Sequence, residues 1–520
     1  MQIRKRGFKM KKFFRIIFSR LLYTLLFVIV QCTALGIVLR FFSEKFVYFY
    51  AACILLSILT GLHVISSNMN PAYKIAWLIP IMLVPIFGGL MYLMFGKIHL
   101  SQAERKRLED IQNHCEQAMK VQDNAYPKLA KQSVQASIHS TYLAETSGAL
   151  PYQHTSTEYL PNGEKYFEVM KEQLESAEKF IFLEYFIVEE GKMWNEILDI
   201  LKRKVQEGVD VRVMYDDFGC MFTLPRRYDR TLEKCGIKTC VFERFNSILN
   251  SRFNARDHRK ICVVDGNIGL TGGINLADEY INETQKFGHW KDTGMILKGQ
   301  AVWSLTIMFL SMWDYIRKEQ DDFQQFAPSK EYVSAIQDDG YVQPYTDTPF
   351  HEEPVGENVY MNIINRANEY VYITTPYLII DNEMLTAMRM AARSGVDIRI
   401  ITPGVADKKM VYAMTRSYYE SLLKAGVRIY EYTPGFIHAK TFVSDDVYGI
   451  VGTINLDYRS LHLHYENAVW MYQSKAVAQV KKDFLATLNE CSEVTMDTMK
   501  KKSFVARICL AVMRAFAPLM

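Results

Sequence analysis

The sequence carries the same sparse polar pattern twice, in the stretches HRKICVVDGNIGLTGGIN and HAKTFVSDDVYGIVGTIN, which begin at His258 and His438. In each copy a lysine follows two residues after the histidine, an aspartate five residues after the lysine, and an asparagine 17 residues after the histidine. The shared residues are His258, Lys260, Asp265 and Asn275 in the first copy, and His438, Lys440, Asp445 and Asn455 in the second. Recurrence of the whole set indicates a catalytic pattern and argues against two structural histidines.

The histidine and lysine of each copy are expected to point to the same side of a β-strand, because residues two apart share a face. The aspartate is an odd number of positions from both and comes just before a turn, which reads Asp-Gly-Asn at 265–267. We therefore expect Asp265 and Asp445 to lie at hairpin ends. There they would steady the motif without a direct role in the chemistry.

Two histidines that face each other suit nucleophilic catalysis with acid–base assistance. One imidazole can attack an electrophile while the other protonates the leaving group. The two lysines can neutralise phosphate oxygens during attack at phosphorus, and the amides of Asn275 and Asn455 can donate to the same oxygens. Each histidine also needs a carboxylate for its second ring nitrogen, and Asp292 and Glu466 are the candidates. No residues at metal-ligand spacing accompany the pattern, so we expect neither a metal nor a cofactor.

The surrounding sequence is an internal duplication. EKFIFLEYFIVEEG at residue 178 corresponds to NEYVYITTPYLIIDN at residue 368, and EGVDVRVMYDD at 207 corresponds to SGVDIRIITPG at 394. Each half alternates apolar strands with amphipathic helices, which predicts an α/β fold. We expect two duplicated domains, each a β-sheet flanked by helices, related by a pseudo-twofold axis that brings the two His–Lys hairpins to a shared interface.

Three apolar stretches, at 21–42, 46–66 and 75–95, each approach the ~20 residues needed to cross a bilayer. Eight Lys or Arg and no acid precede them in residues 1–20, which favours a cytoplasmic N-terminus. Two or three spans fit, because two prolines interrupt the third stretch and basic residues follow it. The expected order is a basic leader (1–20), a transmembrane region (21–96), a helical connector (97–150), two domains (151–335 and 336–499) and an amphipathic membrane-surface helix (500–520).

The charge balance excludes one class of partner. Eight of the 61 Lys and Arg lie in the leader, which leaves 53 basic against 57 acidic residues in the rest of the chain. A body that binds nucleic acid is normally basic along one face. We therefore expect no nucleic-acid partner.

The repeated HxKxxxxD pattern, followed by GGxN or GTxN, resembles the phospholipase D superfamily. AWLIPIMLVPIFGGLMYLMFGKIHLSQAERKR at 76–107, VGTINLDYRSLHLHYENAV at 451–469 and the closing FAPLM narrow this to a resemblance to bacterial cardiolipin synthases. The resemblance covers nearly everything from about residue 46 to residue 520. The stretch at 21–42 exceeds the two-span form of that family and leaves the topology open.

The resemblance implies that two phosphatidylglycerol molecules yield cardiolipin and glycerol through a phosphatidyl-histidine, in a multi-pass protein of the bacterial plasma membrane whose partners are membrane phospholipids. It favours His258 as the nucleophile. His438 would protonate the departing glycerol and then deprotonate the second lipid. The implied catalytic set is His258, Lys260, Asp265, His438, Lys440 and Asp445, with Asn275 and Asn455 on the phosphate and Asp292 and Glu466 behind the histidines.

Other readings stay open at this stage. A membrane phospholipase D-type hydrolase would use water as the acceptor and release phosphatidic acid, and the sequence does not exclude it. The membrane segments and the slightly acidic body argue against a nuclease. Two complete motifs argue against a catalytically silent membrane scaffold. The number of spans, the phosphatidyl donor, the nucleophilic histidine and the oligomeric state are left undetermined.

Overall fold

The elements that carry the two motifs lie within a long, continuously described part of the chain. The computed structural model describes residues 29–30, 32–34, 36–37, 46–84, 87–96, 100–120, 125–244, 254–499 and 503–519. The predicted leader at 1–20 lies outside these residues, as does most of the apolar stretch at 21–42. The described residues up to 96 and from 512 to 519 form one compact unit, and those from 100 to 244 and from 254 to 511 form the other.

The helices of the N-terminal part are α1 (Phe46–Ser66), α2 (Pro71–Leu83) and α3 (Phe87–Phe95). The stretch predicted as one span at 75–95 is therefore two helices. A Cβ built on Gly88 would lie 2.3 Å from the carbonyl oxygen of Pro80, and the rings of Trp77 and Tyr92 meet edge to face at 5.5 Å. The chain thus folds back on itself, so that α2 and α3 pack side by side. Within the described ranges, no helix is both long enough and apolar enough to cross a membrane.

Three helices precede the two sheets: α4 (Gln102–Lys120), α5 (Tyr126–Gln132) and α6 (Val134–Ser147). Helix α6 begins where the Ser133 side chain accepts the backbone N–H of Ala136, and it ends at Gly148, which adopts the left-handed conformation with φ 67°. Both ends follow ordinary capping chemistry.

The first half of the body is built on a seven-stranded sheet in the order β1-β8-β6-β5-β2-β3-β4. Its strands are β1 (Thr155–Leu160), β2 (Phe180–Tyr185), β3 (Asp210–Asp216), β4 (Lys238–Phe242), β5 (Lys260–Val264), β6 (Ile268–Gly272) and β8 (Gly294–Gly299), while the short β7 (His289–Lys291) lies outside it. The helices of this half are α7 (Gly163–Glu175), α8 (Lys192–Gln206), α9 (Asp217–Cys220), α10 (Tyr228–Lys234), α11 (Val302–Arg317) and α12 (Lys330–Ala335).

The second half repeats this plan with one strand added, in the order β9-β18-β16-β15-β10-β12-β13-β19. Its strands are β9 (Tyr341–Asp347), β10 (Tyr370–Thr374), β11 (Leu378–Ile379), β12 (Asp397–Pro403), β13 (Arg428–Tyr432), β14 (Gly435–Ile437), β15 (Thr441–Ser444), β16 (Tyr448–Gly452), β17 (Leu456–Asp457), β18 (Glu466–Tyr472) and β19 (Cys491–Val494). Its helices are α13 (Val355–Arg366), α14 (Asn382–Arg393), α15 (Lys409–Leu423), α16 (Tyr458–His462) and α17 (Lys475–Leu488). The chain ends with α18 (Phe504–Ala515).

Helices cover both faces of the sheets, which explains why the central strands are apolar throughout. Every residue of β2 is buried. Leu183 belongs to the core formed with α7 and α8, whereas Phe182, which points to the other face, stacks on Phe309 of α11 at 4.6 Å between ring centroids. A strand covered on both sides loses the apolar–polar alternation of a half-exposed strand. The duplicated α/β architecture predicted from the repeats is confirmed.

Candidate active site

Each motif is a hairpin that delivers its histidine and lysine from one end and its aspartate from the other. Lys260 opens β5, and β5 pairs antiparallel with β6. Lys440 comes just before β15, which pairs with β16 in the same way. His258 and His438 each lie two residues before their lysine, and both are 7% exposed. The two hairpins therefore hold equivalent positions in the two sheets.

The two aspartates lie at the turns of these hairpins, as the spacing predicts. Asp265 accepts three backbone N–H groups, from residues 178–180, at 2.7 to 2.8 Å. Asp445 accepts the N–H groups of residues 368–370 at 2.7 to 3.0 Å. Both have positive φ, 54° and 52°. Each carboxylate thus ties its hairpin to the loop that enters the central strand of the same sheet.

Each histidine takes its carboxylate from the other half of the chain. Nδ1 of His258 lies 2.9 Å from both carboxylate oxygens of Glu466, and Nδ1 of His438 lies 2.6 Å from Oδ2 of Asp292. Asp292 and Glu466 are completely buried. A carboxylate accepts the Nδ1 hydrogen of a neutral imidazole, which leaves the lone pair on Nε2 for chemistry.

Main-chain bonds repeat this exchange between the halves. The backbone N–H of His258 donates to the carbonyl of Tyr465 at 2.9 Å, and that of His438 donates to the carbonyl of Lys291 at 2.7 Å. Each acceptor directly precedes the acid that pairs with the same histidine. Strands β7 and β14 also pair in parallel. The arrangement is reciprocal, as expected for halves related by a pseudo-twofold axis.

The difference between GGIN and GTIN in the two copies has a local cause. A Cβ on Gly273 would lie 2.1 Å from Oδ1 of Asp292, so that only glycine leaves room for this acid. The corresponding Thr453 donates its hydroxyl hydrogen to Oε2 of Glu466. Gly273 therefore leaves the space that Asp292 occupies, and Thr453 holds Glu466 in position by a hydrogen bond.

The lysine ammonium groups lie beside the histidines. Nζ of Lys260 donates to the carbonyl of His258 at 2.5 Å. Nζ of Lys440 donates to the carbonyl of His438 and lies 2.8 Å and 3.0 Å from the two ring nitrogens. Both lysines are buried, at 0% and 1% exposure. Two ammonium groups that are shielded from bulk water supply strong positive charge at the place where a phosphate would bind.

Burial sets the protonation of this cluster. It lowers the pKa of both histidines well below the ordinary value, and the neighbouring lysines lower it further. Burial also lowers the pKa of Lys260 to about 7 and that of Lys440 to about 8, and raises the pKa of Asp292 to about 6. Both effects favour the neutral imidazole, which is the form that a nucleophile requires.

The two asparagines lie in the same region, and each donates one of its two amide hydrogens within the protein. Nδ2 of Asn275 donates to the Tyr280 hydroxyl at 2.7 Å, and its Oδ1 accepts the N–H of Ile187. Nδ2 of Asn455 donates to the Ser460 hydroxyl at 3.0 Å. The structure thus brings all ten predicted residues to the two hairpins and their shared interface. The two asparagine amides donate to hydroxyl groups, and the two aspartates lie at the hairpin turns.

Several neighbours of the histidines were missed from the sequence. Phe186 packs edge to face on His258 at 5.1 Å, while Tyr280 and Trp290 contact His438 at 5.7 and 5.5 Å between ring centroids. His464 lies 5.8 Å from His258, ring to ring, and its Nδ1 is 3.7 Å from Glu466. Tyr280, Trp290 and His464 lie within a few residues of motif residues, which is a weak signal because buried aromatics are common in any core. Phe186 lies 72 positions before His258 and gave no such signal.

Among the residues that the structure describes, two groups of side chains have a geometry that could hold a metal ion. The donor atoms of His258, His464 and Glu466 lie within 4.8 Å of one another, and so do those of a second group, Glu357, Asp381 and His462. The sequence spacing predicted no such group at the site, because residues more than 200 positions apart do not form a recognisable ligand motif. The first group overlaps the His258–Glu466 pair, and the lysines that depress the pKa of His258 also oppose a second cation.

A family profile described as "Cardiolipin synthase, PLD-like domain" matches residues 170–299 and 360–488, one match in each half. A second profile, "Phospholipase_D-nuclease N-terminal", matches residues 55–97. The two main matches contain both motifs and both candidate acids.

Similar proteins extend over most of the chain. Cardiolipin synthase 2 of Bacillus anthracis is 34% identical over 470 residues, which is 89% of this chain and 90% of the relative. Cardiolipin synthase of Halalkalibacterium halodurans is 31% identical over 511 residues, covering 96% of this chain and 99% of the relative. The crystal structure of phosphatidylserine synthase from Haemophilus influenzae has the same fold, with a TM-score of 0.54 at 16% identity, and covers 74% of this chain and 98% of that one. The chain belongs to the cardiolipin synthase family of the phospholipase D superfamily.

Proposed function

We propose that this protein is a cardiolipin synthase that transfers a phosphatidyl group from one phosphatidylglycerol to another and releases glycerol. The observation that carries the proposal is the pair of buried histidines, His258 and His438, each with a carboxylate of the other half on Nδ1 and a lysine beside it. The relatives named cardiolipin synthase support the substrate class.

In the first step Nε2 of His258 attacks phosphorus, so that a P–N bond forms and the P–O bond to the glycerol headgroup breaks. Glu466 holds the Nδ1 hydrogen and stabilises the positive charge that develops on the ring. His438 gives a proton from Nε2 to the departing glycerol oxygen. The anionic phosphodiester favours that proton on His438, because a nearby negative charge raises the pKa of an imidazole.

In the second step His438 is the base. Its Nε2 takes the proton from a headgroup hydroxyl of the second phosphatidylglycerol, whose oxygen attacks phosphorus while the P–N bond to His258 breaks. Asp292 accepts the Nδ1 hydrogen and stabilises the protonated ring. His438 thus ends protonated and His258 neutral, which restores the starting state. The same steps run in reverse, so the transfer is reversible.

Lys260 and Lys440 hold the negative charge of the phosphate oxygens in both steps. Asn275 and Asn455 are assigned to the same oxygens. One amide hydrogen of each asparagine lies on the hydroxyl of Tyr280 or Ser460, which leaves the second hydrogen of each NH2 group to donate to a phosphate oxygen. Asp265 and Asp445 support the hairpins from the turns. No step requires a metal or a nucleotide.

The proposal includes multi-pass anchoring in the bacterial plasma membrane through the region 21–96, and a membrane-surface position for the helix within 500–520. Helix α1 leaves a series of apolar side chains exposed, among them Val47, Leu55 and Leu62. Helix α18 leaves Phe504 and Val505 exposed. A contiguous exposed apolar surface of this kind is unfavourable in water and favours contact with lipid.

A phospholipase D-type hydrolase is the second candidate, because the same phosphatidyl-histidine could react with water. The aromatic rings around the histidines favour transfer over hydrolysis. Phe186, Tyr280 and Trp290 cover the imidazoles, and both histidines are almost fully buried. A dry site limits water, while a lipid that arrives from a bilayer gains a high effective concentration.

The direct test is incubation of the purified protein with radiolabelled phosphatidylglycerol as the only lipid, followed by separation of the products. We expect cardiolipin and glycerol in equal amounts. The doubly substituted protein His258→Ala/His438→Ala, prepared in the same detergent, is the control for co-purifying activity. Phosphatidic acid as the main product would identify a hydrolase. The absence of any turnover would contradict the proposed cardiolipin synthase activity.

A further inference from the structure

Two loops occupy equivalent places in the two halves, each after the strand beside the central strand of its sheet. Residues 217–227 follow β3 and include the short helix α9, and residues 404–410 follow β12 and include the first two residues of α15. Strands β3 and β12 run parallel to the central strands β2 and β10. In sheets of this kind ligands bind beyond the carboxyl ends of the parallel strands, which is where both loops begin. We call these two loops together the rim.

The first loop of the rim is fixed beside His258. Asp216, which caps α9, accepts the backbone N–H of Phe218 at 2.8 Å and that of Asp257, the neighbour of His258, at 3.2 Å. A Cβ on Gly219 would lie 2.0 Å from the carbonyl oxygen of Phe186, whose ring packs on His258. The loop therefore has a defined position at the His258 side of the site.

The second loop of the rim is fixed beside His438. The N–H of Val405 donates to the carbonyl of Gly435, in the strand that ends one residue before His438. The Tyr377 hydroxyl donates to Asp407 at 2.7 Å, and Nζ of Lys408 lies 5.9 Å from the Tyr377 ring. Lys408 also contributes to the lowered pKa of His438. The loop therefore borders the same site from the other half.

Both loops expose apolar and basic side chains together. The exposed apolar residues are Phe218 (49%), Phe222 (45%), Val405 (37%) and Met410 (50%). The exposed basic residues are Arg226, Arg227, Lys408 and Lys409. Apolar side chains next to cations fit the interfacial layer of a bilayer, where acyl chains lie directly below anionic phosphates. The two duplicated halves present this combination at matching positions.

We propose that the rim inserts into the surface of an anionic bilayer and lets lipid headgroups enter the site directly from the membrane. The inference rests on the proposed function, because it concerns how phosphatidylglycerol reaches the two histidines. The apolar side chains enter the acyl layer and the four basic residues bind headgroup phosphates. The rim thereby delivers both lipids from the same side and keeps the acceptor hydroxyl at a high local concentration.

The test compares two substrate forms with two variants, Phe218→Ser/Phe222→Ser and Val405→Ser/Met410→Ser. Transfer is measured on phosphatidylglycerol vesicles and on dihexanoyl-phosphatidylglycerol below its critical micelle concentration. We expect each variant to lose at least about tenfold more rate on vesicles than on the monomeric lipid. The control is Val134→Ser/Met390→Ser, which removes apolar side chains of α6 and α14 that are more exposed than those of the rim, and it should keep both rates.

The outcomes separate this inference from the proposed function. If the unsubstituted protein makes no cardiolipin from either form, the proposed function fails. If it is active and both rates fall equally in the rim variants, the loops support the fold or the site and the rim proposal fails. Suppose that the rim variants lose the same fraction of rate on vesicles and on the monomeric lipid, and that light scattering shows a changed oligomeric state. The rim would then contact a second copy of the chain, and this result would also overturn the proposal.

Discussion

At the scale of single residues, the two histidines have matching partners but different assigned roles. We expect His258→Ala and His438→Ala each to lower the transfer rate by at least about 100-fold, because loss of a nucleophile or of an acid–base group removes one step of the exchange. After quenching in denaturant at mildly alkaline pH, where a phosphohistidine persists, phosphatidylglycerol labelled at its phosphate should leave covalent label on the His438→Ala protein and none on the His258→Ala protein.

The controls for this experiment are matched expression and a thermal unfolding midpoint within a few degrees of the parent protein. Label on the His258→Ala protein instead of the His438→Ala protein would reverse the two roles. If either variant keeps more than a few per cent of the rate, the assignment of two essential histidines is wrong.

The titrating groups of the site predict a bell-shaped pH dependence of kcat/KM. Asp292 must be ionised to accept the Nδ1 hydrogen of His438, and burial raises its pKa to about 6, so the rate falls as pH drops through 6. Lys260 and Lys440 must be protonated, and burial lowers their pKa values to about 7 and about 8. The rate therefore also falls as the pH rises through this range. A rate that climbs steadily from pH 5 to 9 in mixed micelles would contradict both roles.

The aspartate at the first hairpin turn should matter for stability more than for chemistry. Asp265→Asn weakens the acceptor of three backbone N–H groups, and we expect a loss of about 1–2 kcal/mol in the free energy of unfolding. The rate of the folded protein should stay within a few-fold. Asp199→Asn, which removes an exposed helix-surface carboxylate, is the control and should change stability by less than about 0.5 kcal/mol. A large rate loss with unchanged stability would place Asp265 in the chemistry.

Local rules were sufficient for much of the site. The Asp-Gly-Asn turn correctly predicts that Asp265 lies at the hairpin turn. Lys260 lies beside His258 as expected, although His258 comes before β5 and is not part of the strand. The pairing of each histidine with an acid of the other half could not be predicted. His258 and Glu466 are 208 positions apart, and neither segment has a sequence pattern that identifies the residue it contacts. Only the closed interface determines that pairing.

At the scale of secondary-structure elements, the turn after β6 controls the position of an acid. Gly273→Ala would place a methyl group 2.1 Å from Oδ1 of Asp292 and push this carboxylate away from His438. We expect a loss of about 10- to 100-fold in transfer rate, the usual effect of displacing a group that orients a catalytic imidazole. The rate is measured in micelles together with the unfolding midpoint.

The control for this change is Gly395→Ala, in the turn after α14. It strains a backbone with φ 101° but meets no atom within 4 Å, so it should lower stability without a specific effect on the rate. If both glycine variants lose rate only in proportion to unfolded protein, Gly273 has no special relation to Asp292.

Elements were predicted well where a repeat or a period defined them. The alternation of strands and helices appears in both halves with the same strand order, apart from β19 added at the edge of the second sheet. The stretch at 75–95 was predicted as one segment and is two helices, since composition alone does not reveal the close packing of Gly88 against Pro80. Hydropathy reports how apolar a segment is, whereas the path of the chain depends on contacts between its parts.

At the scale of the whole molecule, the charge of the site predicts independence from metal ions. Transfer should survive dialysis against EDTA, because Lys260 and Lys440 already supply the positive charge that a metal would bring to the phosphate. The rate in mixed micelles is compared before and after dialysis. Mild stimulation by many different cations is consistent, since these screen anionic headgroups. Loss of turnover that one particular divalent ion restores would contradict the prediction and direct attention to His464 and Glu466.

The exchange of acids between the halves has a consequence for inheritance. A mutation at Asp292 changes the surroundings of His438, which is encoded 146 codons later. A mutation at Glu466 changes those of His258, which is encoded 208 codons earlier. Selection therefore cannot act on either copy of the duplication separately, even though each has its own sheet. The two copies can still diverge in matched sets, as Gly273 with the shorter Asp292 and Thr453 with the longer Glu466 illustrate. A gene that began as two equal copies is in this way bound to evolve as one.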